Sequence, residues 1–262
     1  MRRGSMFWGV VLLVVGGLLL MANFGILQVN VWRALWPLFL ILLGVWVLIG
    51  VTTGRRGVET EHISVPLKGE SAQIKIKHGV GPAWLTGAAE PGTLMSGTFA
   101  GLEYRTSGEN GIQRLHMEMG NLDPMFWFPG VGSLEWRFSL AKDVPLELDV
   151  DGGAGMLHLD LHDYNVKHLD MDGGVGQMTV IMPAGARTTS ADIDAGVGEM
   201  IIDIPEGVAA RIHATSGLGA LNINKSRFPM TGENTYESAG YAEAANKLDL
   251  KVEGGVGAIR IR

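Results

Sequence analysis

The sequence predicts a membrane-anchored all-β protein, in which a two-helix transmembrane hairpin precedes a β-solenoid-like repeat domain. Two observations predict this class: two long apolar runs near the N-terminus, and a glycine pattern that returns about every 21 residues farther along the chain of 262 residues. They divide the chain into a transmembrane hairpin at 1–56, a divergent N-terminal β region at 57–142 and a G-x-G repeat region at 143–262.

The two apolar runs are long enough to cross a bilayer. Residues 6–27 read MFWGVVLLVVGGLLLMANFGIL and residues 34–51 read ALWPLFLILLGVWVLIGV, and Arg33 is the single charged residue between 6 and 51. About 20 apolar residues span a hydrocarbon core of roughly 30 Å, and a helix satisfies its own backbone hydrogen bonds there. A cleavable signal peptide is disfavoured, because a second span follows within a few residues.

The arginines around these runs predict the orientation. Arg2 and Arg3 precede the first run, Arg55 and Arg56 follow the second, and the connection carries only Arg33. Positively charged flanks stay in the cytoplasm. We therefore expect a plasma-membrane protein with two spans, with both termini and the large C-terminal region in the cytoplasm.

A recurring G-x-G is the main signal in the rest of the chain. Four copies follow one another at intervals of 21, 22 and 21 residues, a fifth comes 38 residues later after a polar stretch at 224–245 that reads as an inserted loop, and an outlying copy lies upstream. The glycines concerned are Gly79 and Gly81, Gly153 and Gly155, Gly174 and Gly176, Gly196 and Gly198, Gly217 and Gly219, and Gly255 and Gly257.

The segments on both sides of each glycine pair alternate apolar and polar residues, the period of half-buried strands. Each repeat therefore predicts a strand, a glycine corner, a second strand and a turn. One such unit cannot bury its apolar face alone, whereas stacked copies share a continuous core. Glycine fits a corner that needs positive φ or has no room for a Cβ. The region before the repeats is less regular, with strands expected at 73–77, 102–105 and 134–138.

Three ligand-binding interpretations of the glycines fail. A dinucleotide fingerprint needs a third glycine three residues on, where His158 stands after Gly155. The calcium-binding nonapeptide needs aspartate where Leu157 and Met178 stand, and no G-K-[ST] follows as a phosphate loop would require. The glycine pairs are therefore predicted to be structural corners.

One cluster of acidic residues and histidines leaves two interpretations open. Alternating side chains on one strand face would be able to share a metal ion, or they form the solvated outer face of two strands whose leucines at 157, 159 and 161 point inward. The pattern does not recur in other repeats, which favours the outer face. Its members are His158, Asp160, His162, Asp163, His168, Asp170 and Asp172.

Composition excludes several functions. The chain has no cysteine, so disulfides and thiolate chemistry are absent. A net charge of −6 argues against nucleic-acid binding through phosphate neutralisation. No G-x-S-x-G or H-E-x-x-H motif is present. We therefore predict no catalytic residue, no cofactor and no enzymatic activity.

One aromatic run breaks the alternating pattern. It comprises Met125, Phe126, Trp127 and Phe128, followed by Pro129 and Gly130. Such a run either covers an open end of the solenoid, which would prevent edge pairing, or contacts the bilayer or a protein partner.

Several stretches resemble a known family. NFGI at 23–26, LWPL at 35–38 and ILLGVW at 41–46 resemble the LiaI/LiaF-type transmembrane region, and GVGEMIIDIP at 196–205 resembles the toast-rack and LiaF-like C-terminal β domains. The resemblance implies a bacterial plasma-membrane protein without catalytic residues. It also implies a role in the response to cell-envelope stress, with a membrane sensor kinase as partner.

Three functional hypotheses follow. The first is a non-enzymatic regulator or scaffold that is anchored to the lipid bilayer and docks a protein partner. The second is a structural membrane protein that assembles with itself through open solenoid ends. The third, which we favour least, is a metal-dependent enzyme that uses the cluster between His158 and Asp172.

Overall fold

The computed structural model describes residues 60–120 and 134–262, together with residues 36–37, 39–41 and 44, which are helical. Within these residues no helix combines the length and the apolar character that a membrane crossing requires. The first predicted span, most of the second and the aromatic run at 125–128 lie outside the described residues.

The described residues form nineteen strands, which confirms the all-β prediction. In chain order they are β1 (Thr60–Pro66), β2 (Ser71–Lys77), β3 (Val80–Leu85), β4 (Thr93–Ala100), β5 (Leu102–Glu109), β6 (Ile112–Met119), β7 (Trp136–Leu140), β8 (Leu146–Asp151), β9 (Ala154–Asp160), β10 (Val166–Asp172), β11 (Val175–Ile181), β12 (Thr188–Asp194), β13 (Val197–Asp203), β14 (Ala209–Thr215), β15 (Leu218–Ile223), β16 (Met230–Gly232), β17 (Thr235–Glu237), β18 (Lys247–Glu253) and β19 (Val256–Ile261).

Two sheets contain all these strands. One has the order β1-β4-β7-β3-β9-β11-β13-β19-β15, and the other has the order β16-β17-β14-β18-β12-β10-β8-β2-β6-β5. We call the first the valine sheet and the second the acidic sheet, after the residues that flank the glycine corners in each sheet. Each repeat places one strand in the acidic sheet, turns at the G-x-G and continues in the valine sheet, so that one pair of strands forms a rung.

Neighbouring rungs pair in parallel and in register. Leu148 lies beside Leu169 in the acidic sheet, and Met178 lies beside Met200 in the valine sheet. In-register pairing stacks like residues on like, so inward rows stay apolar along the whole array. Leu157, Leu159 and Leu161 are buried, as the alternation predicts.

The divergent N-terminal region and the repeat region share one core. β2 and β3 form a rung whose corner is Gly79–Gly81, and they pair with β8 and β9, so both sheets continue without a break. Aromatic side chains fill this end of the core: Phe99 lies edge-on to buried Trp136, with ring centroids 5.7 Å apart. The Trp136 indole N–H donates to the Ala100 carbonyl oxygen at 3.0 Å, which satisfies its polar atom.

The rungs do not stack in chain order. The last rung, β18 and β19, lies between the rung of β12 and β13 and the rung of β14 and β15. The rung that follows β13 in sequence is therefore the outermost one in space, and the last rung of the chain lies between it and the rung of β12 and β13. All of these pairings are parallel, so the inserted rung has the same direction as its neighbours.

The connection that makes this return is structured. It contains the hairpin β16–β17, which covers the free edge of β14, and a short 3-10 helix at Tyr241–Glu243. Phe228 is fully buried, and the adjacent Arg227 guanidinium donates to the carbonyl oxygens of Ile204, Pro205 and Val208. The segment read as an inserted loop therefore closes one end of the acidic sheet and of the core.

Replacing Gly196 by alanine tests the close stacking of the corners. A Cβ at this position would lie well inside van der Waals contact of the Gly174 carbonyl oxygen, and we expect a loss of about 3 kcal/mol, as for overpacking of a filled core. Thermal unfolding of the full-length protein in detergent, followed by tryptophan fluorescence, measures it. Gly185→Ala is the matched control, because nothing lies within 4 Å of its Cβ position. Equal stability of the two variants would contradict tight stacking.

Candidate interaction surface

The glycine corners form one continuous edge, which we call the corner edge. In five of the six pairs the first glycine lies against the backbone of the neighbouring rung, as Gly196 does against Gly174, whereas Gly79 lies against the Met119 side chain. The second glycine of five pairs takes a backbone conformation that L side chains rarely adopt, as at Gly176 with φ 139°. At Gly219 a Cβ would instead collide with the Gly257 carbonyl oxygen. Since a side chain is excluded at nearly all of these glycines, the edge is mostly backbone, flanked by one row of side chains on each side.

On the valine-sheet side, the flanking row is aliphatic and exposed. It consists of the middle residues of the G-x-G copies, which register pairing places next to one another. The exposed fractions are 57% for Val175, 49% for Val197 and 77% for Leu218. We call it the aliphatic row; in spatial order it contains Val80, Ala154, Val175, Val197, Val256 and Leu218. Contiguous apolar surface of this kind marks interaction sites.

On the acidic-sheet side, the flanking row carries carboxylates. Asp151, Asp172, Asp194 and Glu253 occupy the same position in four consecutive rungs. We call these four residues the acidic row. In sequence, two residues separate each carboxylate from the aliphatic-row residue of the same rung. These two residues are Ala195 and Gly196 after Asp194, and two glycines in the other three rungs. Apolar and anionic rows thus run side by side along the corner edge.

Lysine side chains form ion pairs with the carboxylates at the two ends of the acidic row but not with the two at its centre. Lys77 lies 3.5 Å from the Asp151 carboxylate, and Lys251 lies 2.8 Å from that of Glu253. Within the described residues, no ion pair involves Asp172 or Asp194. Partial burial, and then the charges of Glu253 and Asp172, raise the pKa of Asp194 above its ordinary value. The centre of the row therefore carries negative charge that no ion pair among the described residues neutralises.

Two connections of the chain reach the β region at the corner edge. β1 starts at Thr60, which pairs with Ala100 beside the Gly101 corner. Gly120, after β6, donates to the Gly101 carbonyl oxygen, and Leu134, before β7, lies against Gly81. The described chain therefore enters β1, leaves β6 and enters β7 at this edge, whereas the predicted contact residues Met125, Phe126, Trp127 and Phe128 lie outside the described residues.

His78, next to the Gly79 corner, is the buried titratable group nearest this edge. It is only 5% exposed, its Nε2 has no hydrogen-bond partner among the described residues, and its ring lies edge-on to Trp136. Burial lowers the pKa of His78 to about 4, so it is neutral at physiological pH. The sequence pattern gave no sign of this burial, because the alternation of β2 ends at Lys77.

The acidic residues and histidines between 158 and 172 do not form one cluster in space. His158 lies on the valine sheet, where its ring centroid is 5.4 Å from that of Trp84. His168 lies on the acidic sheet, where its Nδ1 forms a hydrogen bond with the Ser190 hydroxyl. His162 is at the turn between them, 2.7 Å from Asp163. In the ranges that the structure covers, no group of three or more histidine, aspartate or glutamate side chains is placed to hold a metal ion.

The fold resembles a solved β structure over most of its length. A protein from Clostridium sporogenes ATCC 15579, provisionally named a cell adhesion protein, is 25% identical with a TM-score of 0.65, over 78% of this chain and 99% of that one. A provisionally named adhesin from Bacteroides fragilis NCTC 9343 is 10% identical with a TM-score of 0.29, over 78% and 97% of the two chains, too low to support an argument. A search of curated proteins gave no match.

An N-terminal membrane region followed by a β domain of this fold defines a class of membrane-associated β proteins. Residues 6–48 match the LiaI-LiaF-like transmembrane region, and residues 53–203 match the family described as the N-terminal domain of toast_rack, DUF2154. Since the second match covers more than half of the chain, the protein belongs to the toast-rack family. Both resemblances predicted from the sequence are confirmed, and the protein is associated with the membrane.

Asp194→Asn tests the uncompensated charge of the acidic row. Like charges opposite one another on neighbouring strands are destabilising, so we expect the variant to be more stable by about 0.5 kcal/mol, or about 1–2 °C in melting temperature. Because the folded-state pKa of Asp194 is raised, wild type regains this stability as pH falls through that pKa, and the difference shrinks. The control Asp143→Asn, at an exposed turn, should leave the melting temperature unchanged. A lower melting temperature for Asp194→Asn than for wild type would refute the repulsion.

Proposed function

We propose that this protein is a non-enzymatic, membrane-anchored regulator or scaffold that presents its β region to a protein partner. The corner edge carries this proposal: among the described residues, an exposed aliphatic row lies beside an acidic row whose two central carboxylates form no ion pair, and this combination is a surface for recognition. The transmembrane match at residues 6–48 supports the anchor. The sequence offers no motif for catalysis.

The family resemblance gives this proposal its cellular setting. It favours a regulator in the response to cell-envelope stress, which acts by restraining a membrane sensor kinase. With two spans and arginines at both flanks, the β region lies in the cytoplasm, on the side where such a kinase has its catalytic domains. The array suits this role, because a stack of rungs presents an extended, repeated surface.

Self-association is a second candidate, favoured by one edge strand. β15 ends the valine sheet, and its residues Leu218–Ile223 include no charge and no proline. Natural edge strands usually carry one of these devices against pairing with other chains. On the acidic sheet the corresponding end is covered by the hairpin β16–β17. The open β15 edge would join copies of the chain into a structural assembly.

Purification of the tagged full-length protein from native membranes in mild detergent tests the proposal. We expect a membrane sensor kinase at near-stoichiometric amount, identified by mass spectrometry, because a regulator that restrains a kinase must stay bound to it. Asp143→Asn should retain the kinase.

The variant Ala220→Lys separates the two candidates, since a lysine on an edge strand blocks strand pairing. Retention of the kinase by this variant supports regulation through another surface. Homo-oligomers that dissociate in the variant, with no kinase in either sample, would replace regulation by self-assembly.

A further inference from the structure

We propose that the corner edge binds a basic amphipathic helix of the partner protein. The helix lies across the rungs, with apolar side chains on the aliphatic row and lysine or arginine side chains on the acidic row. This inference rests on the proposed scaffold function and names the surface and the chemistry of the partner.

The spacing of the rungs matches the spacing of side chains on a helix. Neighbouring strands lie about 4.8 Å apart, and residues three or four apart on a helix are about 5–6 Å apart. In-register pairing keeps the aliphatic row straight through Val175, Val197, Val256 and Leu218. One helix face therefore meets one rung with each turn, over about five turns for the six rungs that contribute to the row.

The two rows give the helix a defined rotation. Between Asp172 and Val175 stand only Gly173 and Gly174, so bare backbone separates the anionic and apolar rows in this rung, and Ala195 adds one methyl group in the rung of Asp194. A helix lying on this backbone meets the acidic row on one flank and the aliphatic row on the other. Since Asp172 and Asp194 have no ion-pair partner in the described structure, lysine or arginine side chains of the helix would form ion pairs with them.

A protein segment fits this edge better than a lipid surface. The cytoplasmic leaflet carries anionic lipids, which the acidic row would repel while the aliphatic row was being buried. A helix with lysines or arginines complements the charge instead. Cytoplasmic flanks of membrane proteins are rich in these residues, and this chain enters its β region at the same edge, at Thr60. The cytoplasmic flank of another membrane protein is therefore the expected occupant.

A binding measurement tests this surface directly. Full-length protein in phosphatidylcholine nanodiscs is titrated with a fluorescein-labelled 18-residue helical peptide of alanine, with leucine along one face and lysine along the neighbouring face. We expect the double variant Asp172→Asn, Asp194→Asn to bind the peptide about tenfold more weakly, equivalent to about 1.4 kcal/mol. Val175→Ser with Val197→Ser should weaken binding by a similar factor.

Controls separate this surface from general stickiness. Asp143→Asn should bind as wild type does, and a peptide with glutamate in place of lysine should not bind. Unchanged affinity in both double variants, with folding verified by melting temperature, would overturn the proposal. So would binding of the protein to vesicles containing phosphatidylglycerol without binding to the peptide, since the occupant would then be the bilayer. If the peptide does not bind while a kinase still copurifies, the proposed helix-binding role of the corner edge is wrong and the proposed scaffold function stands.

Discussion

The close approach of backbones at the glycine corners is the constraint on which the rest of the structure depends. At Gly174 and Gly196 one rung lies directly on the next, with no space for a Cβ. This contact sets the register of both sheets at once, because a shift of one residue would place a side chain in the corner. In-register rows then follow: apolar inside, aliphatic and acidic outside.

The same constraint produces the candidate surface. A corner built mostly of glycine leaves the rows on its two sides as the main side-chain features of the described edge, and repetition makes each row nearly uniform. Uniform rows are costly where they carry charge: Asp172 and Asp194 lie side by side on neighbouring strands and form no ion pair within the described residues. Partial burial, together with the charges of Glu253 and Asp172, holds the pKa of Asp194 above its usual range. Keeping such repulsion in a stacked array is understandable if a cationic partner relieves it.

Much of this fold could be read from the sequence. The alternation around Leu157 and Leu159 gave the strands and their buried faces, and the spacing of glycines gave the corners. The position of the last rung could not be read, because β14 and β18 present the same edge to β12 and differ little in pattern. Phe228 and the hairpin after it looked like a loop, since their burial depends on distant rungs. The two rows of the site were visible as residues, but their adjacency needs the corner geometry.

The order of the rungs is the most direct test of this structure, and the absence of cysteine makes it accessible. Ile201 pairs with Arg260, and Asn222 pairs with Arg260 on its other side. Cysteines at 201 and 260 would be about 5 Å apart, within disulfide reach, whereas cysteines at 201 and 222 would be about 9.5 Å apart, beyond it. We expect mild oxidation to link 201 to 260 and leave 201 and 222 free. A disulfide between 201 and 222 would mean that the rungs stack in chain order and would contradict the inserted rung.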